Sequence, residues 1–287
     1  MPDPTYIGII SDTHMPQRWN RLHESLTEIF RGVNLILHAG DVGELWVLDE
    51  LSRIAPVVAV HGNDETAAAQ AALPFMQTLV IAGHRLILTH GHLPDLAEEY
   101  ARRKVDTWDS KLADLVTMAH PHGAEIVVYG HLHIPMHYCY DNVWLVNGGG
   151  IASGGFFHRQ KVQSVAVMTL SPAAPPAVTH YDLNSGKVHA PPTAYNGSFK
   201  EIWNDYNEPL FDPMLIPAIE WLRQRLVPLV GLEYLREALL PLGQACWWGG
   251  KESMTAQEIL DAFRTHPDTP PILWTTLREL PAFAPYL

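Results

Sequence analysis

Short apolar runs rich in Val, Ile and Leu recur along the first two-thirds of the chain, and each stops abruptly at a polar loop. Residues 6–10, 33–37 and 57–60 read as buried strands. Between them the period changes. Leu22, Leu26, Ile29 and Phe30 recur at helical spacing over 18–31, and Gly32 follows as a helix C-terminal glycine. Leu45, Leu48 and Leu51 mark a crossover helix ending near Arg53. Strand and helix alternating in this way predict a parallel sheet. After Ala72 the rhythm shifts to hairpins. Residues 77–82 and 85–89 flank Gly83-His84, and residues 137–140 and 143–146 flank Asp141-Asn142. Residues 126–129 form another buried strand, residues 96–119 one or two helices, and residues 162–170 and 177–183 two more strands.

The polar ends of these runs carry the chemistry. Asp12 and His14 follow the first strand, Gly40-Asp41 the second, and His61-Gly62-Asn63-Asp64-Glu65 the third. His90-Gly91-His92 follows the first hairpin, and Gly130-His131-Leu132-His133 follows the strand at 126–129. The carboxyl ends of strands are where open α/β sheets deliver ligand-binding groups. If the backbone stays extended past Gly130, His131 and His133 share one face. Imidazole nitrogens and carboxylate oxygens suit Mn²⁺, Mg²⁺ or Fe, and a carboxylate can bridge two ions. Each group has a plainer reading when taken alone. Asp12 reads equally as a helix N-cap, His131 and His133 as loop histidines, and His38 either as a satisfied core residue or as a group orienting a ligand.

Composition narrows the class. With 287 residues, 47% of them hydrophobic and 17% charged, the chain has room for one large α/β domain and an appendage. A formal net charge of -12 disfavours nucleic acid and anionic membrane surfaces as partners. A small phosphorylated substrate stays open, because bound cations reverse the local field. Only Cys139 and Cys246 are present, and residues 1–10 have neither a basic n-region nor a long apolar run, so a cytoplasmic protein is expected. Sixteen histidines against nineteen Lys plus Arg point toward metal chemistry.

Taken together in this order, Asp12-x-His14, Gly40-Asp41, Gly62-Asn63, His90-x-His92 and Gly130-His131-x-His133 resemble the calcineurin-like metallophosphoesterases, and most of all their small bacterial and archaeal phosphodiesterase branch. The resemblance covers about residues 5–185. It implies a four-layer α/β/β/α sandwich of the mixed α/β (α+β) class and a centre of two divalent ions, Mn²⁺ first and Fe or Zn next. It assigns Asp12, His14 and His133 to one ion, Asn63, His90 and His131 to the other, and Asp41 to both. Spacing alone would equally let His131 and His133 share one ion. The implied activity is hydrolysis of phosphodiesters of a small organic or nucleotide substrate by metal-activated hydroxide. The alternative is a non-catalytic scaffold of the same fold, as in the retromer subunit, which should show broken ligand positions.

Two departures from the family pattern matter. Asp64 stands where many members carry the histidine that assists the leaving group, which leaves His61 and His92 as candidate acids. Asn147-Gly148-Gly149-Gly150 replaces an Asn-Pro-Gly-Ser pattern and reads as a tight loop or as a close approach to phosphate. Residues 1–189 are therefore expected to form the phosphoesterase domain. Residues 190–287 carry five of the nine tryptophans (203, 221, 247, 248 and 274) and are expected to form a helical extension. Leu215, Ile219, Leu222 and Leu226 recur at helical spacing, and Thr255-Ala-Gln-Glu258 is a capping-box start. The extension is expected to act as a docking or homo-oligomer surface, with a lid over the site as the other reading.

Overall fold

The computed structural model describes residues 3–155 and 157–287. These fall into two compact units, Met1–Gly154 with Gln160–Asn207, and Gly155–Arg159 with Glu208–Leu287. In the first unit the strands are β1 (Thr5–Ile10), β2 (Leu35–Ala39), β3 (Val57–Val60), β4 (Met76–Ile81), β5 (His84–Thr89), β6 (Ile126–Tyr129), β7 (Met136–Tyr140) and β8 (Val143–Asn147). Next in the chain come β9 (His158–Gln160), which the division between units cuts after Arg159, and then β10 (Ser164–Leu170), β11 (Ala177–Asp182) and β12 (Val188–His189) of the first unit. One sheet runs β12-β11-β10-β1-β2-β3, with β1, β2 and β3 parallel. The other runs β4-β5-β6-β8-β7, with β5, β6 and β8 parallel between two hairpins.

The twofold alternation of side chains builds the layers. Ile7, Ile9, Leu37 and Ala39 of the first sheet share a buried core with Leu86, Leu88, Ile126 and Val128 of the second. Their neighbours face outward. Ile10 and Ile36 pack under α1 (Ser25–Ile29) and α2 (Trp46–Ser52), through Leu26, Val47 and Leu51. On the far side Ile87, Val127 and Tyr129 pack under Trp108, Leu112 and Leu115, after α3 (Ala67–Ala72) and α4 (Leu96–Arg103) have led the chain into α5 (Trp108–Ala119). The result is helix, sheet, sheet, helix. Within β1, Gly8 lies against the Phe30 ring, where a Cβ would sit at 3.1 Å.

Several sequence expectations shift. The helix expected over 18–31 is confined to Ser25–Ile29, because Arg18 is drawn inward: its amide bonds the His14 carbonyl at 2.9 Å and its Nη1 donates to the Ser153 carbonyl at 2.9 Å. The first hairpin turns on Ala82-Gly83 rather than Gly83-His84, with φ of 52° and 87°. Two residues in left-handed conformation match the twist of the strands, and His84 is thereby moved into β5. The second hairpin turns on Asp141-Asn142, with φ of 47° and 60°. The boundary between units lies at Asn207 rather than 189, because α6 (Phe199–Tyr206) carries Phe199, Ile202 and Trp203 against the α5 core.

The second unit is mainly helical, with α7 (Ile219–Val230), α8 (Leu232–Trp247), α9 (Ala256–Thr265) and α10 (Ile272–Leu277). Its own core holds Leu226, Leu239, Trp247, Leu260, Phe263 and Leu277. The capping box forms, with Thr255 Oγ1 accepting from the Glu258 amide and Glu258 Oε2 accepting from the Thr255 amide. Among the described residues no helix is long and apolar enough to cross a membrane.

One buried histidine of the sandwich should set its acid sensitivity. His180 in β11 donates from Nε2 to the Asn147 carbonyl at 2.8 Å, and burial holds its pKa down to about 4 from the ordinary 6.5. The unfolded chain therefore takes up a proton that the fold refuses. Stability from this residue is complete above pH 6.5 and lost as pH falls toward 4, by about 3 kcal/mol in all. Unfolding midpoints followed from pH 7.5 to 4.5 should drop less steeply in His180→Gln than in the parent, and parallel curves would refute this role.

Candidate metal centre

The loops after β1, β2, β3, β5 and β6 bring the predicted side chains to one edge of the two sheets. Five of them occupy left-handed backbone: Asp12 (φ 56°), His14 (43°), Asp41 (53°), His131 (66°) and His133 (56°). Such conformations cost about 1 kcal/mol or more each in a non-glycine residue and persist only where the surroundings enforce them. His131 and His133 are thus not on an extended strand, as alternation supposed. The chain curls at Gly130, where a Cβ would fall 2.7 Å from the Ala39 carbonyl and 2.8 Å from Asp12 Oδ2. Both imidazoles reach the site by this curl.

Asp12 is fully buried. Its Oδ1 lies 3.0 Å from His133 Nε2, and its Oδ2 accepts from Ser11 Oγ at 2.5 Å and from the His131 amide at 3.2 Å. Burial pushes its pKa up, but the imidazoles of His133 and His90 outweigh this and hold it at about 2. His133 Nδ1 donates to the Ala152 carbonyl at 2.9 Å, which turns Nε2 toward Asp12. Its ring stacks on His14 at 5.8 Å and is bracketed by Gly150 and Gly154, where a Cβ would meet it at 2.4 and 2.9 Å. Gly149 similarly has room only for hydrogen beside Ser164 Oγ. The glycine run is explained as a tight loop packed on the site's frame.

Asp41 is the centre of the arrangement. Its Oδ2 lies 3.4 Å from His14 Nε2 and 3.2 Å from His90 Nε2, and its Oδ1 accepts from the Asp64 amide at 2.8 Å. Gly62 makes room for that carboxylate, since a Cβ there would fall 2.0 Å from Oδ1. Burial opposes its charge, yet His90 and His14 hold its pKa well below the carboxylate range. His90 Nδ1 donates to the Ala39 carbonyl at 2.8 Å, so Nε2 faces the two carboxylates but out of line for a full hydrogen bond. Asn63 Oδ1 is likewise buried without a partner among the described residues.

Two groups therefore have ligand atoms within 4.8 Å of one another: Asp12, His14 and His133, and Asp12, Asp41 and His90. The donor set fits a divalent ion of borderline hardness. Buried polar atoms without hydrogen-bond partners, Asn63 Oδ1 and His90 Nε2, are what a cation would satisfy. The first group coincides with the set expected for one ion. His131 stands slightly apart, its ring 5.1 Å from that of His90 and its Nε2 bonded to Glu99 Oε1 at 2.9 Å.

The remaining predicted residues sort by contact. Asp64 is ion-paired with the guanidinium of Arg18, which is 4% exposed and also lies 3.4 Å from His14 Nε2. Burial and then Arg18 hold His14 at about 4. His92 is buried, and burial followed by His90 and His131 pushes it down to about 3. His61 is half-buried, its Nδ1 2.9 Å from the Gly62 carbonyl, beside Phe75 and His92 with ring separations of 5.8 and 6.1 Å. His38 touches no predicted ligand by hydrogen bonding. It bonds Thr13 Oγ1 at 3.1 Å, which donates to the Val42 carbonyl at 2.8 Å, so it braces the loop between Asp12 and His14.

Three contributors were given no role by the sequence. Arg18 read as the start of a helix. Glu65 bonds the amides of Val42, Gly43 and Gly62 at 2.9 to 3.1 Å and ties the β2 and β3 loops together. Glu99 lies on α4, outside every motif, and only its i,i+4 pairing with Arg103 is visible locally.

Residues 6–172 match the calcineurin-like phosphoesterase superfamily domain. A probable metallophosphoesterase of Methanothermobacter thermautotrophicus is 35% identical over 144 residues, which is 50% of this chain and 75% of the relative. Another, of Methanocaldococcus jannaschii, is 31% identical over 143 residues, covering 50% of this chain and 66% of that protein. Among solved structures, Vacuolar Protein Sorting 29 of Cryptosporidium parvum shares the fold, with a TM-score of 0.52 at 20% identity, over 66% of this chain and 97% of that one. The chain belongs to the calcineurin-like phosphoesterase superfamily.

Proposed function

We propose that this calcineurin-like phosphoesterase hydrolyses phosphodiesters of a small organic or nucleotide substrate at a centre of two divalent ions, with Mn²⁺ the first choice. The observation that carries the reading is Asp41 Oδ2 set between His14 Nε2 and His90 Nε2 at 3.4 and 3.2 Å, the placement a bridging carboxylate needs. Asp12, His14 and His133 would hold one ion, Asn63, His90 and His131 the other, and Asp41 both. Two ions bound there supply a nucleophilic water of near-neutral pKa and stabilise charge on the phosphoryl oxygens. The protein's part is to keep the site dry and preorganised. Four of the seven side chains, Asp12, Asp41, His90 and His133, are oriented by Ser11, by the Asp64 amide and by the carbonyls of Ala39 and Ala152. A scaffold without activity would not need an intact set, and all seven positions carry ligand-competent side chains.

Asp64 is unsuited to protonating a leaving group, because its carboxylate is paired with buried Arg18. His92, held at about 3, has no proton to give near neutrality. His61, half-buried at the rim, is the imidazole left for that task. Weak protonation makes the leaving group's own acidity decisive. With Mn²⁺, kcat/KM for an aryl phosphodiester should exceed that for a simple alkyl monoester by about 10²-fold or more, the scale of general-acid assistance. A panel of aryl phosphodiesters, nucleotides, phospholipid-headgroup diesters and alkyl monoesters tests this. Preference for alkyl monoesters would overturn the diester assignment, and turnover of none would favour the scaffold.

A further inference from the structure

We propose that Glu99 is a positioning residue for the metal centre, taking the Nε2–H of His131 and thereby assigning Nδ1 of that ring to the ion. The inference rests on the two-ion reading, in which His131 serves the second ion. Glu99 is 4% exposed, and its Oε1 lies 2.9 Å from His131 Nε2 and 2.8 Å from Arg103 Nε. Its Oε2 accepts from the Leu93 amide at 3.0 Å. Leu93 directly follows His90-Gly91-His92, so one carboxylate holds both the His131 side chain and the loop that delivers His90.

The chemistry follows from hydrogen-bond inventory. An ionised carboxylate only accepts, so the proton of a neutral His131 must sit on Nε2, which leaves the lone pair on Nδ1. His90 and His133 use the opposite pattern, each donating Nδ1–H to a backbone carbonyl. On the nitrogen turned away from the proposed ion, His131 meets a carboxylate where His90 and His133 meet carbonyls, and a charged acceptor there raises ligand basicity as well as fixing ring orientation. Its left-handed backbone gives the ring no rigid strand to stand on, which makes outside support necessary. Glu99 in turn is fixed on α4, whose N-terminus is capped by Asp95 Oδ1 accepting from the Glu98 amide at 2.9 Å.

The test is calorimetric titration of the ion-free full chain with MnCl₂, for the parent, Glu99→Gln and Glu99→Ala. The parent should take up two ions. Glu99→Ala should weaken one site about 10- to 100-fold and leave the other within about threefold, the range for loss of a group supporting a metal-bound histidine. Glu99→Gln, which retains volume and an accepting oxygen but not the charge, should show a smaller loss at the same site, with an unchanged unfolding temperature in the ion-free state. Two unaltered sites in Glu99→Ala and Glu99→Gln would overturn the role of Glu99 while leaving the two-ion centre standing. Equal weakening of both sites together with a lowered ion-free unfolding temperature would make Glu99 a structural residue only. A parent chain that takes up one ion would overturn the two-ion reading and this inference with it.

Discussion

Asp41→Asn should lower kcat/KM on an aryl phosphodiester by at least about 10³-fold, some 4 kcal/mol of transition-state stabilisation, and should strip the protein of bound metal. Asp41 is 3% exposed and presents one carboxylate oxygen to two imidazoles while the other accepts the Asp64 amide. An amide of the same shape keeps the packing but replaces the negative charge. Turned one way, its NH₂ meets the Asp64 N–H, donor against donor; turned the other, it faces the His14 and His90 nitrogens with a donor where an ion needs a negative oxygen. Metal content by elemental analysis and steady-state kinetics at saturating Mn²⁺ check the two consequences. Activity within tenfold of the parent would mean that Asp41 is peripheral.

Mn²⁺ affinity should rise about tenfold per pH unit between pH 6.5 and 8.5, and flatten near pH 9. Burial alone would depress the pKa of His90, but Asp41 and Asp12 together with the Ala39 carbonyl push it up to about 9 in the ion-free protein. Nδ1–H is already committed to Ala39, so the additional proton sits on Nε2, the nitrogen facing Asp41. An ion and that proton compete for one lone pair. Below pH 9 binding must expel the proton, and the apparent association constant climbs as pH rises. His14, held at about 4, is already deprotonated across this range and adds no slope. The ion-free fold shows the matching sign. Stability from the His90–carboxylate pair is complete below pH 6.5 and fades as pH rises through 9. Titrations in buffers of different ionisation enthalpy should report about one proton released as the ion reaches His90. A pH-independent affinity with no proton release would contradict this electrostatic picture.

The seven candidate ligands were legible because each lies one to four residues beyond a strand end, where local pattern and sheet geometry coincide. The layers were legible too, since a period of two on both sheets dictates which residues meet in the middle. What local pattern missed is long-range. Arg18 obeys helical periodicity with Leu22, yet its burial against Ser153 and Asp64 ends that helix before it begins. Glu99 meets His131 across 32 positions of sequence, and nothing near either residue signals the contact. The curl at His131 and His133 depends on how closely Gly130 approaches the Ala39 carbonyl, a contact between two sheets. Asp64 stands where the family pattern carries a histidine, and its neutralisation by Arg18 appears only once the loops are assembled.

Hydrolysis by this chain is proposed to depend on two ions joined by Asp41. Titrating the ion-free protein with Mn²⁺ while following hydrolysis of bis(4-nitrophenyl) phosphate in the same samples tests that dependence. Turnover should stay near zero as the first equivalent binds and appear as the second site fills. Full activity with one ion bound, or two ions bound with no hydrolysis, would contradict it.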